Sequence, residues 1–320
     1  MSDHGTGYAD KAQERIERRL RKLYALTART ALKELDERLA DVYAQDRQRR
    51  RTMEPNVYKR WLSDRMNLDT VTKDRLTYLV YAANRQALAV INAERRDVFL
   101  ENMNYQLYEL EKATGEEIKP VLYNQLDVDR VRREEPGVLP TKTVSEPVDR
   151  AWNTRRLNAL IRRGVISGAP AREIAKNAVS GMCTGSESAM RRYARTAMTG
   201  AQNGGRYVVL EEADEDEEFR VTKVWCTVGD DRVREAHEDL DGQEVDIDEP
   251  FDSELGPIRY PGDPEAALEN IMNCRCWLDY NYYEEDDDDE ELPYRRRKKR
   301  NPTVPYETWK RIKRRNRHGK

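Results

Sequence analysis

Apolar residues recur at steps of three and four through the first part of the chain, which is the spacing of one face of an α-helix. Over residues 9–51 this apolar stripe is narrow, and the other faces are rich in Arg, Lys and Glu. A narrow stripe on a charged helix favours packing against another helix over burial on all sides. We therefore expect the stripe to be an assembly interface with another protein. Its members are Ile16, Leu20, Leu23, Thr27, Ala31, Leu35, Leu39 and Val42.

The same periodicity predicts further helices downstream. A second long helix begins near Asp69, whose side chain can cap it, and continues to about Gly115. The two long helices can form an antiparallel hairpin. Prolines and glycines then indicate a connector over residues 116–144. Between residues 145 and 210 the pattern predicts three helices, because Gly164 and Gly181 are typical of helix ends and Ser186 of a helix start.

The period changes to two after residue 218. Residues 219–228 and 276–283 alternate in the way of strands, and turns and short helical segments separate them. The predicted fold class is therefore α+β and predominantly α-helical, with long N-terminal helices, a helical middle, a small α+β C-terminal domain and a charged tail. We expect domain boundaries that give 1–115, 116–144, 145–283 and 284–320.

The distribution of charged residues adds a further feature to the predicted fold. Charged residues make up 37% of the chain, yet the net charge is only −3 because the signs are segregated. Residues 293–320 hold 13 Lys and Arg and one acid, whereas residues 1–292 hold 44 bases and 59 acids. Acidic runs at 211–218 and 284–291 are typical of solvated linkers, and the second could also mask the basic tail. No apolar run is long enough to predict a signal peptide or a membrane span.

The basic tail predicts electrostatic DNA binding, with Tyr294, Tyr306 and Trp309 placed to stack on bases. Prolines at 302 and 305 and the lack of an apolar stripe argue against a tail that folds by itself. A solvated tail and a contact with an acidic protein are the alternatives. The predicted DNA-binding residues are Arg295, Arg296, Arg297, Lys298, Lys299, Arg300, Lys310, Arg311, Lys313, Arg314, Arg315 and Arg317.

Besides DNA binding, the residues of the C-terminal half allow a metal-binding site. Cys226, His237, Cys274 and Cys276 supply the sulfur and nitrogen ligands that zinc prefers, although their spacing is loose. The alternatives are buried structural thiols, a disulfide or redox pair, and a Cys274 nucleophile with His237 as base. Arg275, between the two thiols, is expected to pair with a carboxylate or a backbone carbonyl. No cofactor other than zinc is indicated.

In the C-terminal half, Arg195-Thr196, Trp225, Arg234, His237, Tyr260-Pro261-Gly262-Asp263 and Asn273-Cys274-Arg275-Cys276 follow one another in order. This series resembles the phage minor head protein family typified by protein F of phage Mu. The resemblance covers residues 145–283, with its specific part at 219–280. Members of this family often carry Glu after the Arg-Thr pair, and here Ala197 stands in that place. The matching residues are Arg195, Thr196, Trp225, Asp231, Arg234, His237, Tyr260, Pro261, Gly262, Asp263, Asn273, Cys274, Arg275 and Cys276.

The resemblance implies a non-enzymatic minor capsid protein of a bacteriophage virion that acts in head morphogenesis, DNA packaging or DNA ejection. It places the protein in the head interior or at the portal vertex, and in the host cytoplasm during assembly. The implied partners are the portal protein, the major capsid protein and phage DNA, with no membrane. The alternative is a virion-carried enzyme such as a nuclease, for which Asp230, Asp231, His237 and Asp263 are the available metal ligands.

Overall fold

Helices form most of the chain in the computed structural model, which describes residues 7–115, 117–118, 122–214, 219–284 and 304–318. The helices are α1 (Tyr8–Arg38), α2 (Ala40–Thr52), α3 (Pro55–Met66), α4 (Thr70–Thr114), α5 (Gln125–Glu134), α6 (Glu146–Ser167), α7 (Ala171–Asp214), α8 (Glu235–Glu238), α9 (Leu268–Ile271) and α10 (Tyr306–His318). The strands are β1 (Phe219–Cys226), β2 (Glu244–Asp246), β3 (Phe251–Ser253), β4 (Gly256–Ile258) and β5 (Trp277–Glu284). The predicted α+β, predominantly α-helical class is confirmed. Among the described residues, no helix has both the length and the apolar composition needed to cross a bilayer.

The chain divides into two compact units, which are described separately. The helical unit comprises Arg15–Ile91 and Lys142–Arg191. The mixed unit comprises Met1–Glu14, Asn92–Thr141 and Arg192–Lys320. Helices α1, α4 and α7 contribute to both. The expected connector at 116–144 contains a helix, α5, and the domain boundaries expected from the sequence stay a prediction.

The apolar stripe of α1 is buried within the chain. Leu20 and Leu35 are fully buried, and Tyr24 is buried while its neighbour Leu23 is only half-buried. The Tyr24 hydroxyl donates a hydrogen bond to Asn84 of α4 in the helical unit. The expectation that this stripe is an interface with another protein is therefore wrong, because the helix that it packs against belongs to the same chain.

Asp46 joins three helices of the helical unit. Its carboxylate accepts a hydrogen bond from the Tyr58 hydroxyl at 2.6 Å and one from the Ala171 backbone N–H, at the start of α7, at 3.2 Å. An acid at this position favours the helix because the first N–H groups of a helix lack partners within it. Helix α3, which carries Tyr58, was not predicted from the apolar periodicity; it begins at Pro55, and proline fits the first turn of a helix.

Residues 171–214 form one continuous helix, α7, where two helices were expected. Gly181 and Ser186 lie inside it, and so do the adjacent Gly204 and Gly205. The reason is space rather than backbone conformation. A Cβ on Gly205 would collide with the carbonyl oxygen of Phe99, so glycine lets α7 and α4 approach closely in the mixed unit.

The mixed unit contains a three-stranded antiparallel sheet in the order β2-β1-β5 and a separate β3-β4 hairpin. In the register of β1 and β5, Lys223 lies opposite Tyr280 and Cys226 opposite Trp277. The two strands predicted from the period-two segments are thus confirmed as β1 and β5. They are distant in sequence, and the residues between them carry α8, the hairpin and α9.

The first acidic run is partly structured. Residues 211–214 end α7, where Glu211 accepts from the Tyr207 hydroxyl at 2.7 Å and Asp214 accepts from the Val221 N–H at 2.7 Å. Glu212 forms an ion pair with Arg130 of α5. The expectation of a solvated linker is wrong for this half of the run. Residues 215–218 and the acids after residue 284 lie outside the described residues.

The ammonium of Lys223 lies in the interior of the mixed unit. The side chain of Lys223, on β1, is fully buried, and its ammonium donates to the Ile247 carbonyl oxygen at 2.7 Å. The ammonium also lies 5.0 Å from the centre of the Tyr207 ring. Burial lowers the pKa of Lys223 to about 8. Because the unfolded chain holds this proton up to a pKa of about 10.4, burying the charge destabilises the fold below pH 8 and the penalty fades as pH rises toward 10.4.

Replacing Lys223 with methionine should reveal this penalty. Between pH 7 and about pH 9.5, the free energy of unfolding of the natural chain should rise by about 2 kcal/mol relative to that of the Lys223→Met variant. At about pH 9.5 Lys223 has lost its proton in the folded chain but keeps it in the unfolded chain. Urea unfolding of both chains across this range measures the difference. A difference that stays constant with pH would mean that the Lys223 pKa is not depressed.

Candidate functional site

His237, Cys274 and Cys276 lie together in the interior of the mixed unit. Their ligand atoms are all within 4.8 Å of one another, and all three side chains are buried. The Nδ1 atom of His237 is 3.6 Å from Sγ of Cys274 and 3.6 Å from Sγ of Cys276. We call these three residues the Cys-His cluster. Three of the four ligands predicted for zinc are thus brought together.

Cys226 does not join the Cys-His cluster. It lies on β1 directly after Trp225, and successive side chains of a strand point to opposite faces. Trp225 is fully buried and packs edge-on against His237, with ring centres 5.1 Å apart. Cys226 is half-buried, and its thiol approaches the Val224 carbonyl oxygen at 3.7 Å. Cys226 therefore lies apart from the other three residues of the zinc site that was expected from the sequence.

The orientation of His237 is fixed by Asn270 of α9, a residue that the sequence did not single out. The Asn270 amide NH₂ donates to the Gly256 carbonyl oxygen at 2.9 Å, so its carbonyl oxygen is the atom that faces His237. That oxygen is 2.8 Å from Nε2 of His237. Nε2 must therefore carry a proton, and Nδ1 is the ring nitrogen that faces the two thiols.

The thiols perturb one another and the imidazole. The Cys276 thiol donates to Cys274 and, with His237, lowers the pKa of Cys274 well below its usual value. The same contact raises the pKa of Cys276 far above its usual value, and burial adds to this. Burial acts to lower the pKa of His237, but its contacts with Cys274 outweigh burial and raise it. The cluster thus holds one readily ionised thiol beside an imidazole.

Helix α7 holds the turn that carries the two cysteines. The Thr196 hydroxyl accepts from the Asn273 N–H at 3.1 Å, and the Thr199 hydroxyl donates to the Cys274 carbonyl oxygen at 2.9 Å. Asn273 has a left-handed backbone, with φ of 56°. Arg234 donates to the carbonyl oxygen of Met272 just before this turn. These family-motif residues position the cysteines.

Other motif residues are also occupied in contacts within the fold. Arg275 makes a bidentate ion pair with Asp230, at 2.6 and 2.5 Å, which confirms its expected carboxylate partner and lowers the pKa of Asp230 to about 2. Asp263 pairs with Arg259 at 2.9 Å. Two of the three acids considered for a nuclease metal, Asp230 and Asp263, are therefore held by arginines. The third, Asp231, lies on an exposed turn.

The Tyr-Pro-Gly-Asp segment packs against α7. Tyr260 is fully buried and lies 5.1 Å, centre to centre, from the ring of Tyr207. The Pro261 carbonyl oxygen accepts from Asn203 at 3.1 Å, and Gly262 has a left-handed backbone with φ of 80°. This segment fixes the fold beside the Cys-His cluster.

A cavity of about 430 Å³ adjoins the Cys-His cluster at Cys274. It is lined by the first turns of α1, by α7 and by the turn that carries the cysteines. The exposed Arg195 of the family motif lies on this cavity, together with Asp10 and Gln202.

The tail has more structure than the sequence indicated. Helix α10 packs on the end of α4, where Trp309 is buried and donates to Glu111 at 2.7 Å. Tyr306 packs edge-on against Tyr108, with ring centres 5.5 Å apart. Residues 306–318 thus form a helix through their contacts with α4 and not by themselves, and both Tyr306 and Trp309, which were predicted to stack on bases, are occupied in this packing. Tyr294 lies outside the described residues.

The basic side chains of α10 differ in whether they are already paired with acids of the same chain. Lys313 is buried and pairs with Glu111 at 3.0 Å and Glu117 at 2.7 Å, and Lys310 pairs with Glu101. Arg311, Arg314 and Arg315 are exposed on α10. The cluster at 295–300 and the side chain of Arg317 lie outside what the structure describes. DNA binding by the predicted residues stays a prediction.

Comparison with known proteins gives two matches. Residues 155–279 match the family described as "Phage Mu protein F like protein". The chain is also 26% identical over 205 residues to minor head protein GP7 of Bacillus phage SPP1, a match that covers 63% of this chain and 64% of that protein. The chain thus spans less than two thirds of the length of this curated relative. No solved structure shows a significant match. The resemblance predicted from the motif residues is confirmed.

Proposed function

We propose that the chain is a minor structural component of a phage head, because residues 155–279 match the family described as "Phage Mu protein F like protein". The family match carries this proposal. It covers the whole motif from Arg195 to Cys276, and the curated relative is itself named a minor head protein. We assign the protein to the virion.

The finer proposal is a position in the head interior or at the portal vertex, with a role in head assembly, DNA packaging or genome delivery. Its partners would be the portal protein, the major capsid protein and phage DNA. Charge segregation supports contact with DNA, since 13 of the 57 Lys and Arg residues fall in the last 28 positions. Residues 1–292 carry 59 acids against 44 bases, so the rest of the chain supplies little attraction for a polyanion.

We also propose that the protein is not an enzyme. The contacts of the motif support this, because Thr196, Arg234 and Arg275 each bond to a backbone group or a counter-ion within the fold. Residues with contacts of this kind hold a turn in place and do not act on a substrate. The alternative remains a virion-carried nuclease that uses His237.

The test is a gene knockout in the phage that encodes the chain, together with peptide mass spectrometry of purified particles. The protein should be found in wild-type virions at few copies per head. Particles from the knockout should lack it and show lower infectivity per particle. Its absence from wild-type virions would refute the proposal.

A nuclease assay separates the structural role from the enzymatic alternative. Purified chain with divalent metal should leave duplex DNA intact. DNA cleavage that is lost in His237→Ala but kept in His318→Ala, a matched histidine change near the C-terminus, would establish the nuclease instead.

A further inference from the structure

We propose that His237, Cys274 and Cys276 bind one zinc ion, with the fourth coordination position filled by solvent from the cavity that Cys274 also lines. Among the residues that the structure describes, these three are the only group of three or more His, Cys, Asp or Glu whose ligand atoms converge in this way. The ligand set excludes Cys226 and thereby corrects the one expected from the sequence. This proposal is independent of the role in the phage head.

The spacing of the donor atoms fits a tetrahedral ion. With Zn–N of about 2.0 Å and Zn–S of about 2.3 Å, the nitrogen and sulfur donors of a tetrahedral site lie about 3.6 Å apart. Nδ1 of His237 is 3.6 Å from Sγ of Cys274 and also 3.6 Å from Sγ of Cys276. Both nitrogen–sulfur distances therefore match those of a single ion bound to the imidazole and the two thiolates.

Hydrogen bonding can also hold the cluster, with the Cys276 thiol donating to Cys274 and Cys274 contacting Nδ1 of His237. In that chain Cys276 needs no contact with the imidazole, yet its Sγ lies as close to Nδ1 as that of Cys274, at 3.6 Å. A metal ion uses one lone pair of the nitrogen and one of each sulfur at once, and so accounts for both distances.

Asn270 supplies the outer-shell contact that a zinc-bound histidine needs. The second ring nitrogen of a metal-ligating histidine usually donates to an oxygen that fixes its tautomer. Nε2 of His237 lies 2.8 Å from the Asn270 carbonyl oxygen, and Asn270 is itself fixed by Gly256 at 2.9 Å. The imidazole is thus oriented for Nδ1 ligation.

The donor types select the ion. Thiolate and imidazole favour zinc over magnesium or calcium, which prefer oxygen ligands. Zinc with three protein ligands keeps one open position. The cavity of about 430 Å³ beside Cys274 provides room for a water molecule there. Zinc would also tie α8, which carries His237, to the start of β5, close to Cys276.

Metal analysis of the full-length reduced chain tests the proposal. The purified protein should contain about one zinc per chain. Replacing zinc with cobalt(II) should give the visible bands of a tetrahedral ion together with a thiolate-to-cobalt charge-transfer band. Both readouts use the natural chain, so they do not depend on whether a variant folds.

Single substitutions identify the ligands. Cys274→Ser and Cys276→Ser should each lose the thiolate bands, or shift them, and bind the metal more weakly. Cys226→Ser is the matched control, because Cys226 belongs to the same unit but lies outside the Cys-His cluster, and it should bind cobalt as the natural chain does. Circular dichroism shows whether each variant is folded.

Asn270 gives a test of the outer shell. Asn270→Ala should weaken zinc affinity by about 10- to 100-fold while leaving the stoichiometry unchanged, because outer-shell partners orient the ligand without touching the metal. Asn270→Asp keeps an oxygen acceptor for Nε2 and should restore most of the affinity.

Three results would overturn the proposal. The first is a folded, reduced chain that holds no zinc and gives no cobalt bands. The second is a Cys226→Ser variant that loses metal to the same extent as Cys274→Ser. The third is a chain, purified without reductant, in which mass spectrometry after alkylation finds Cys274 and Cys276 joined in a disulfide.

Discussion

Replacing Gly200 with alanine should destabilise the mixed unit by about 3 kcal/mol, at the upper end of the usual overpacking range. Alanine at this place on α7 would put its Cβ against the carbonyl oxygen of Gly262. Gly262 cannot turn away easily, because its left-handed backbone with φ of 80° brings it within contact of Gly200. The obstruction is backbone on both sides, so no side-chain rotation relieves it. Urea unfolding measures the loss.

The matched control is Gly185→Ala on the same helix. There the new Cβ would meet only the guanidinium end of Arg156, a flexible side chain that can move. Since alanine is favoured over glycine inside a helix by about 1 kcal/mol, the two effects should nearly cancel and leave stability within about 1 kcal/mol of the natural chain. Equal losses in both variants would show that helix propensity decides the outcome and not the close approach of Gly200 to Gly262.

These glycines also explain where the sequence misled us about α7. A glycine in a helical pattern signals either a left-handed end or a need for space, and the sequence does not separate the two. Gly168 has the first role, since it ends α6 with φ of 71°. Gly181, Gly200 and Gly205 have the second, because a Cβ on each would collide with another part of the chain. Only the tertiary packing tells which role applies.

The helices and strands with clear periodicity were predictable. Asp69 was expected as the N-cap of α4, and its carboxylate accepts from the Thr72 N–H at 2.8 Å. The two strands were located to within two residues, because β-branched and aromatic residues alternate through both. A hairpin of the two long helices was one expectation for the partner of α1, and Tyr24 of α1 does contact Asn84 of α4. The pattern alone did not decide between this partner and another protein, since an amphipathic pattern shows that a face is covered but not by what.

Part of the Cys-His cluster could be predicted, and part could not. His237 and the two neighbouring cysteines were identified by their ligand chemistry. Cys226 was included although the two-residue period of β1 places it on the opposite face from Trp225, which packs on His237. Asn270 gave no signal at all, because an asparagine in a short helix is common and only the fold brings it to Nε2 of His237.

The tail shows how a sparse pattern can still specify a helix. Pro305 was taken as a sign of disorder, but its carbonyl oxygen accepts from the Trp309 N–H at 3.0 Å and so begins α10. Tyr306, Trp309 and Lys313 lie three and four positions apart and share the face packed on α4. A lysine that completes an apolar stripe is easily overlooked, because its aliphatic stem packs while its ammonium pairs with an acid.

The chain should bind DNA without sequence preference, through tail bases other than Lys310 and Lys313. These two lysines are neutralised within the fold, and 11 of the 13 bases after residue 292 are other residues. If about six of these contact phosphates at once, the slope of log K against log salt should be about −5, at about −0.9 per contact. Fluorescence anisotropy with a labelled duplex at several salt concentrations measures this slope.

Substitutions within the tail separate the contributions. Changing residues 295–300 to glutamine should cut the slope by about half, since it removes six of the available charges. Changing the exposed Arg311, Arg314 and Arg315 to glutamine should reduce it further. Neutralising the acids at 284–291 should tighten binding, because they compete with DNA for the same bases.

The sharpest comparison is between two pairs of bases on the same helix. The double variant Arg311→Gln, Arg314→Gln removes exposed charge, and the slope of log K against log salt should become less negative by about 2. Lys310→Gln with Lys313→Gln removes the same formal charge, but these ammonium groups already pair with Glu101, Glu111 and Glu117, so the slope should change by less than about 0.5 while α10 stays docked. Circular dichroism and resistance to protease report the docking. Equal changes in both pairs would mean that α10 leaves α4 when DNA binds, and a slope near zero for the natural chain would leave an acidic protein as the partner of the tail.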